Sequence, residues 1–157
     1  MVHSSDEEEL RVRVAAKLLT ILLLSSAAWA ADPFIGTWQF DKAKSKMGSS
    51  DFQARTFVIT GTDRKQHVLQ KDVLPDGTAR DFERDEILDG QEHPAEQEGT
   101  VMIAKRVNAN TRTFTWTQGG KTVRTATDTV SADGKTLTHD VHDLVRNENR
   151  VWIFHRE

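Results

Sequence analysis

The 157-residue chain contains no cysteine. Disulfide frameworks, thiolate metal sites, cysteine nucleophiles and a lipidated N-terminal cysteine are therefore excluded. It also lacks an excess of positive charge: 21 basic residues face 24 acidic ones, for a net charge of -3. A nucleic-acid surface driven by bulk charge does not fit that balance. No apolar run reaches the length that spans a bilayer; the longest, within Leu18 to Leu24 and its small-residue flank, is about half of it. Catalytic signatures are missing as well. There is no Gly-x-Ser-x-Gly elbow, no phosphate-cradling glycine loop and no His-Glu-x-x-His.

What is present begins with a targeting segment. Arg11, Arg13 and Lys17 precede the apolar stretch, and Ala28-Trp29-Ala30 supplies the small-x-small pattern of a signal peptidase site. Residues 1–30 are therefore expected to be a signal peptide and residues 31–157 the folded domain, placed in the periplasm or outside the cell. The acidic run Asp6 to Glu9 ahead of the basic residues is unlike a signal peptide. A start at Val12, read as methionine from a GTG codon, removes it, and the intact mass of the unprocessed precursor decides between the two starts.

Beyond Ala31 no stretch keeps a helical period, and turn signals recur evenly. They include Pro75-Asp76-Gly77, Asp89-Gly90, Gly119-Gly120 and Asp133-Gly134, pairs that accept the positive φ of tight hairpins. The intervening segments are rich in Thr, Val, Ile, Phe and Trp, which suit pleated strands. Nine strands are expected: 35–40, 53–60, 66–73, 78–88, 100–107, 112–117, 122–130, 136–145 and 150–156. Such short connections make neighbours antiparallel. An all-β, antiparallel up-and-down meander of eight to ten strands leaves raw edges unless it closes into a barrel. A sandwich needs longer crossovers than the chain provides. The segment from Thr78 to Leu88 is charged on both faces, as in a solvated part of the sheet or the wall of a polar cavity. The 37% hydrophobic content also suits a partly wet interior.

The domain opens Pro33-Phe34-Ile35-Gly36-Thr37-Trp38. A Gly-x-Trp at the head of a closed meander resembles the lipocalin and fatty-acid-binding-protein superfamily. That resemblance implies that Trp38 plugs the closed end of the barrel beneath a late arginine, Arg156 or, as the alternative, Arg150. A narrower similarity extends along the domain. Phe34 to Asp41 with Ala43-Lys44-Ser45-Lys46 is similar to the F-x-G-T-W opening of a group of small exported bacterial proteins of unknown function. Asp89-Gly90, Ala104 to Val107, Gly119 to Val123 and Val130 to Thr138 match the same group in order. His93 stands where that group usually carries tyrosine, a residue this chain lacks altogether. The resemblance implies a lipocalin-like barrel, and no activity carries over with it. The stretch from Asp41 to Ser50 is too short for the helical lid of fatty-acid-binding proteins, so a mouth is capped by loops or open.

Candidate chemistry is sparse. His139-Asp140-Val141-His142-Asp143 looks like a metal cluster, but strand neighbours alternate faces, so His139 and His142 point apart. His139, in phase with Leu137 and Val141, is expected inside as a hydrogen-bonded histidine. His67, His93 and His155 lack the spacing of a zinc site. Haem held inside a small barrel, as in nitrobindin-like proteins, would use one inward histidine, His139 or His155. Arg84 or Arg106, with Arg124, could turn inward to hold a carboxylate; Arg106 shares a face with Met102 and Ala104. Trp116, beside Phe114, is core or cavity lining. The expected ligand-binding residues are thus Arg106, Trp116, His139, Arg84 and Arg124, with no metal, cofactor or catalytic residue. The expected function is carriage of a small, mostly hydrophobic ligand. A filled barrel acting as an accessory or interaction module is the alternative, and a hydrolase- or isomerase-like enzyme on this scaffold ranks last. A monomer or weak dimer is expected, without nucleic acid or a stable membrane anchor.

Overall fold

The computed structural model describes residues 32–48 and 52–157; the expected signal peptide lies outside them. Ten strands follow one another: β1 Gly36–Lys46, β2 Ala54–Gly61, β3 Lys65–Val73, β4 Ala79–Ile87, β5 Asp89–Pro94, β6 Thr100–Asn108, β7 Thr111–Gln118, β8 Lys121–Val130, β9 Thr136–Asp143 and β10 Glu148–Arg156. Every pairing is antiparallel, in the order β4-β3-β2-β1-β10-β9-β8-β7-β6-β5. The sheet curls into a nearly closed barrel whose ends, β4 and β5, are not hydrogen-bonded to each other. No helix occurs among the described residues.

The expected meander is the observed one, with two differences. Asp89 to Pro94 forms a tenth strand where none was expected. Its composition is polar and ends in proline, which a sheet tolerates at an edge, and β5 is an edge. The first strand runs past Phe40 to Lys46 by means of a bulge. Asp41 pairs with Ile153 and Lys46 with Val151, so extra residues bow outward between them. Asp41 Oδ1 accepts from the amides of Ala43 (3.1 Å) and Lys44 (3.2 Å). Ser45 Oγ donates to the Asp41 carbonyl (2.6 Å) and accepts from Ile153 N (2.8 Å).

Alternation along the strands places one set of side chains inside. Trp38, Phe57, Ile59, Val68, Met102, Ala104, Phe114, Ala126, Val130, Leu137, Val141, Trp152 and Phe154 are buried. Phe34, Phe52 and Leu88 complete the core from outside the strands. The connections at residues 62–64, 109–110 and 131–135, with the segment ahead of β1, gather at one end of the barrel. Those at 74–78, 95–99, 119–120 and 144–147 gather at the other, here called the mouth.

Candidate functional site

The closed end is built on the Gly-x-Trp opening. Trp38 is fully buried and its indole donates to the Phe34 carbonyl (2.8 Å). Arg156, at the end of β10, pairs with Trp38 across the ladder and lays its guanidinium 4.2 Å from the indole centroid. That guanidinium donates to Gly134 O (2.7 Å), Ile35 O (2.6 Å) and Pro33 O. Arg156 is thus the late arginine over the tryptophan. Gly36 has φ 140°, and a Cβ there would meet Arg156 Nη1 at 2.5 Å, so glycine is required at this position.

Above this plug lies a plate of charged and polar side chains. Arg112, fully buried on β7, donates to Glu86 Oε2 on β4 (2.9 Å), to Asp128 Oδ2 on β8 (2.9 Å) and to Gln66 on β3. Gln66 also donates to Asp32 (3.0 Å), which accepts from Arg106. The Phe34 ring sits between two guanidiniums, 4.8 Å from Arg106 and 4.6 Å from Arg112. Burial disfavours the charge on Asp128, but the neighbouring His139 and Arg112 outweigh it and hold the carboxyl at about 2. Burial acts against the Arg112 cation too, and Glu86 and Asp128 overcome it, raising its pKa. Arg112 and Asp128 are therefore both held in their charged forms, paired with each other inside the plate.

The mouth half is lined differently. Phe40, Phe52 and Trp152 form an aromatic wall, with Phe52 edge-on to Phe40 (5.1 Å) and to Trp152 (5.2 Å). Arg55 stacks 3.9 Å above Phe52 and is neutralised by a two-pronged pair with buried Asp72, both contacts 2.6 Å. Arg84 donates to Glu86 (2.9 Å) and Gln70 (3.2 Å). Arg150 donates to Asp143 (2.6 Å). Arg124 differs. It lies 4.0 Å over the Trp116 ring and has no hydrogen bond or ion pair among the described residues. Its side chain is exposed to solvent, and desolvation by its surroundings, followed by the like charge of Arg150, lowers its pKa from the ordinary value. Three buried polar atoms in this half, Trp152 Nε1, Thr100 Oγ1 and Arg150 Nε, also lack a hydrogen-bond partner among the described residues.

The five expected site residues fall at three levels. Arg84, Arg124 and Trp116 belong to the mouth half. His139 is in the middle, bonded to Asp128 and stacked on Trp152 (5.2 Å). Arg106 is at the closed end, bonded to Asp32 and to Ala109 O (3.1 Å). His142 is exposed while His139 is half-buried, so the two do not meet; no metal-holding cluster occurs among the described residues. His155, expected inward in the haem reading, instead bonds Asp41 at 2.7 Å on the face away from Trp152 and Phe154.

Arg55 and Arg112, which sequence reasoning passed over, and Arg150, expected only as the alternative arginine over Trp38, share a signal. Each stands two residues before an aromatic of the same face: Arg55 and Phe57, Arg112 and Phe114, Arg150 and Trp152. On a strand that spacing puts cation and ring side by side.

Ten antiparallel strands in meander order, nearly closed and plugged by tryptophan under arginine, define a small barrel of the fatty-acid-binding-protein type, a lipocalin-like architecture. No known family's sequence profile matches the chain, and no curated protein does. Solved structures do. The chain is similar to the wild-type fluorescent protein UnaG at 16% identity and a TM-score of 0.61, over 79% of this chain and 97% of that one. It is similar to a Schistosoma mansoni fatty acid binding protein in complex with arachidonic acid at 14% identity and a TM-score of 0.62, over 82% and 98%. A zebrafish ileal bile acid-binding protein complexed with cholic acid matches at 11% identity and a TM-score of 0.53, over 80% and 99%. At these identities the likeness is one of fold.

Proposed function

We propose that the protein binds a small, mostly hydrophobic ligand carrying one anionic group in the mouth half of the barrel, without catalysis. The observation that carries the reading is Arg124, a cation with no ion pair among the described residues, held over Trp116. Trp152 Nε1 and Thr100 Oγ1 are buried and lack a hydrogen-bond partner among the described residues. Polar atoms left this way are costly, and a ligand's oxygens satisfy them. Apolar walls with a few oriented donors are what small-molecule sites are made of. Two of the similar barrels were solved with arachidonic acid and with cholic acid, which supports a ligand of this chemistry.

The site is assembled from Arg124 and Arg84 for the anion, Trp116 for stacking and His139 for the floor. Arg106 is left to the closed end. Export completes the proposal: cleavage after Ala30 delivers the domain to the periplasm or the medium.

Two experiments test this. Titration with 1-anilinonaphthalene-8-sulfonate, followed by displacement with fatty acids, is expected to give saturable one-site binding. Native mass spectrometry of protein from its own host is expected to show a co-purifying small molecule. No binding in either points to the filled-barrel interaction module, for which the buried plate is the supporting feature. Cell fractionation with N-terminal sequencing checks export; a product retaining residues 1–30 contradicts it.

A further inference from the structure

We infer that the ligand is a compact carboxylate, of about the reach of an octanoyl chain, and not an extended long-chain acyl group. This rests on the reading above and limits it. Arg112 reaches from β7 to Gln66 on β3, strands separated by five others in one direction around the barrel and three in the other. It also holds Glu86 on β4 at 2.9 Å. Direct bonds between opposite walls leave no passage at that level. Asp32, Arg106 and Phe34 extend the plate on the side of Trp38: Asp32 accepts from Gln66 and Arg106, and the Phe34 ring lies against Arg106 and Arg112. The plate is no swinging gate: Arg112, Glu86, Gln66 and Asp128 are each buried and joined into one hydrogen-bonded network, and opening it would strand several charges.

The depth left over follows from the ladder. Arg124 at the mouth and Asp128 in the plate are four residues apart on β8, about 13 Å along a strand. With the usual barrel tilt of about 40° the axial depth is about 10 Å. That span sets the upper limit on the length of a chain or fused-ring body reaching inward from an anion held at Arg124 before it meets His139 and the plate.

The test is a chain-length series against the purified processed protein, with 1-anilinonaphthalene-8-sulfonate as the displaced probe and hexanoate, octanoate, laurate and palmitate as competitors. A buried methylene is worth about fourfold in affinity. Octanoate is expected to bind roughly fifteenfold more tightly than hexanoate, with less than about threefold gained from there to palmitate. A steep rise continuing through palmitate overturns the inference while leaving ligand binding intact, as does a bound probe that no carboxylate displaces. Failure of the probe itself to bind overturns the parent reading, and this one with it. A second readout locates the ligand. With octanoate the indole N–H resonances of Trp116 and Trp152 are expected to shift and that of Trp38 to stay; equal movement of Trp38 contradicts the plate.

Discussion

The Arg156 guanidinium lies 4.2 Å from the centroid of the Trp38 indole and at the same time donates to Ile35 O at 2.6 Å. One side chain thereby ties the last strand to the residue before the first. Closure of the barrel end depends on the pair, because Trp38 is wholly buried and Arg156 is its roof. Trp38→Ala removes a large core side chain and is expected to cost about 3–5 kcal/mol. Gly36→Ala is expected to cost about 1–3 kcal/mol, since it forces both a left-handed φ and a clash with Arg156 Nη1. Urea unfolding measures both, and an unchanged midpoint for Trp38→Ala contradicts the plug.

Acid should release the plate. Asp128 is held at about 2 in the folded chain, below the ordinary carboxyl value of about 3.9. A depressed carboxyl stabilises the fold fully above its unfolded pKa and loses that contribution as pH falls through its folded pKa. The expected loss is about 2–3 kcal/mol between roughly pH 4 and pH 2. Urea midpoints measured across that interval for the natural chain should fall more steeply than those of Asp128→Asn. That variant is expected to be weaker at neutral pH, because Arg112 keeps its charge and loses one partner. Equal slopes contradict the assignment.

Nine of the ten strands were legible because turn pairs such as Asp76-Gly77 and Asp133-Gly134 punctuate β-branched segments, and hairpin chemistry is local. The strand β5 was not, because its residues carry almost no apolar signal and its place is fixed by pairing with β6. The bulge in β1 was hidden for a related reason: Lys42, Lys44 and Lys46 alternate like a plain edge, and only Asp41 and Ser45 reveal the fold-back. Inward phase was readable for Arg106 and His139. Depth was not, since it depends on strand tilt and on Asp32, a residue ahead of the barrel that captures Arg106. Phase alone cannot tell a cation at the mouth from one at the floor.

The bulge offers a separate check. Ser45 Oγ links the Asp41 carbonyl to the amide of Ile153, and the Asp41 carboxylate, lowered first by its hydrogen bond to His155, accepts the amides of Ala43 and Lys44. Ser45→Ala leaves the Ile153 amide without its partner and is expected to cost about 1–2 kcal/mol. Amide exchange at Ile153 should quicken, while that at Val141, on the neighbouring strand, should change only with global stability. Unaltered exchange at Ile153 contradicts the role given to Ser45.

Arg124 and Arg106 separate binding from architecture. Both lie beside an aromatic ring, but Arg106 is bonded to Asp32 and Ala109, whereas the exposed Arg124 has, among the described residues, only the Trp116 face. Replacing Arg106 with Met removes the charged partner of Asp32, which keeps Gln66, and is expected to lower stability by about 1–3 kcal/mol, leaving probe affinity within about twofold of the natural chain. Replacing Arg124 with Met keeps the apolar stem over Trp116 and removes only the charge. Stability should be unchanged within about 0.5 kcal/mol. Affinity for 1-anilinonaphthalene-8-sulfonate should fall about tenfold, the value of one charge-assisted contact. Raising the salt concentration should weaken binding to the natural chain and have much less effect on Arg124→Met. If instead Arg106→Met loses the probe while Arg124→Met retains it, the anion sits at the closed end and the mouth is not the site.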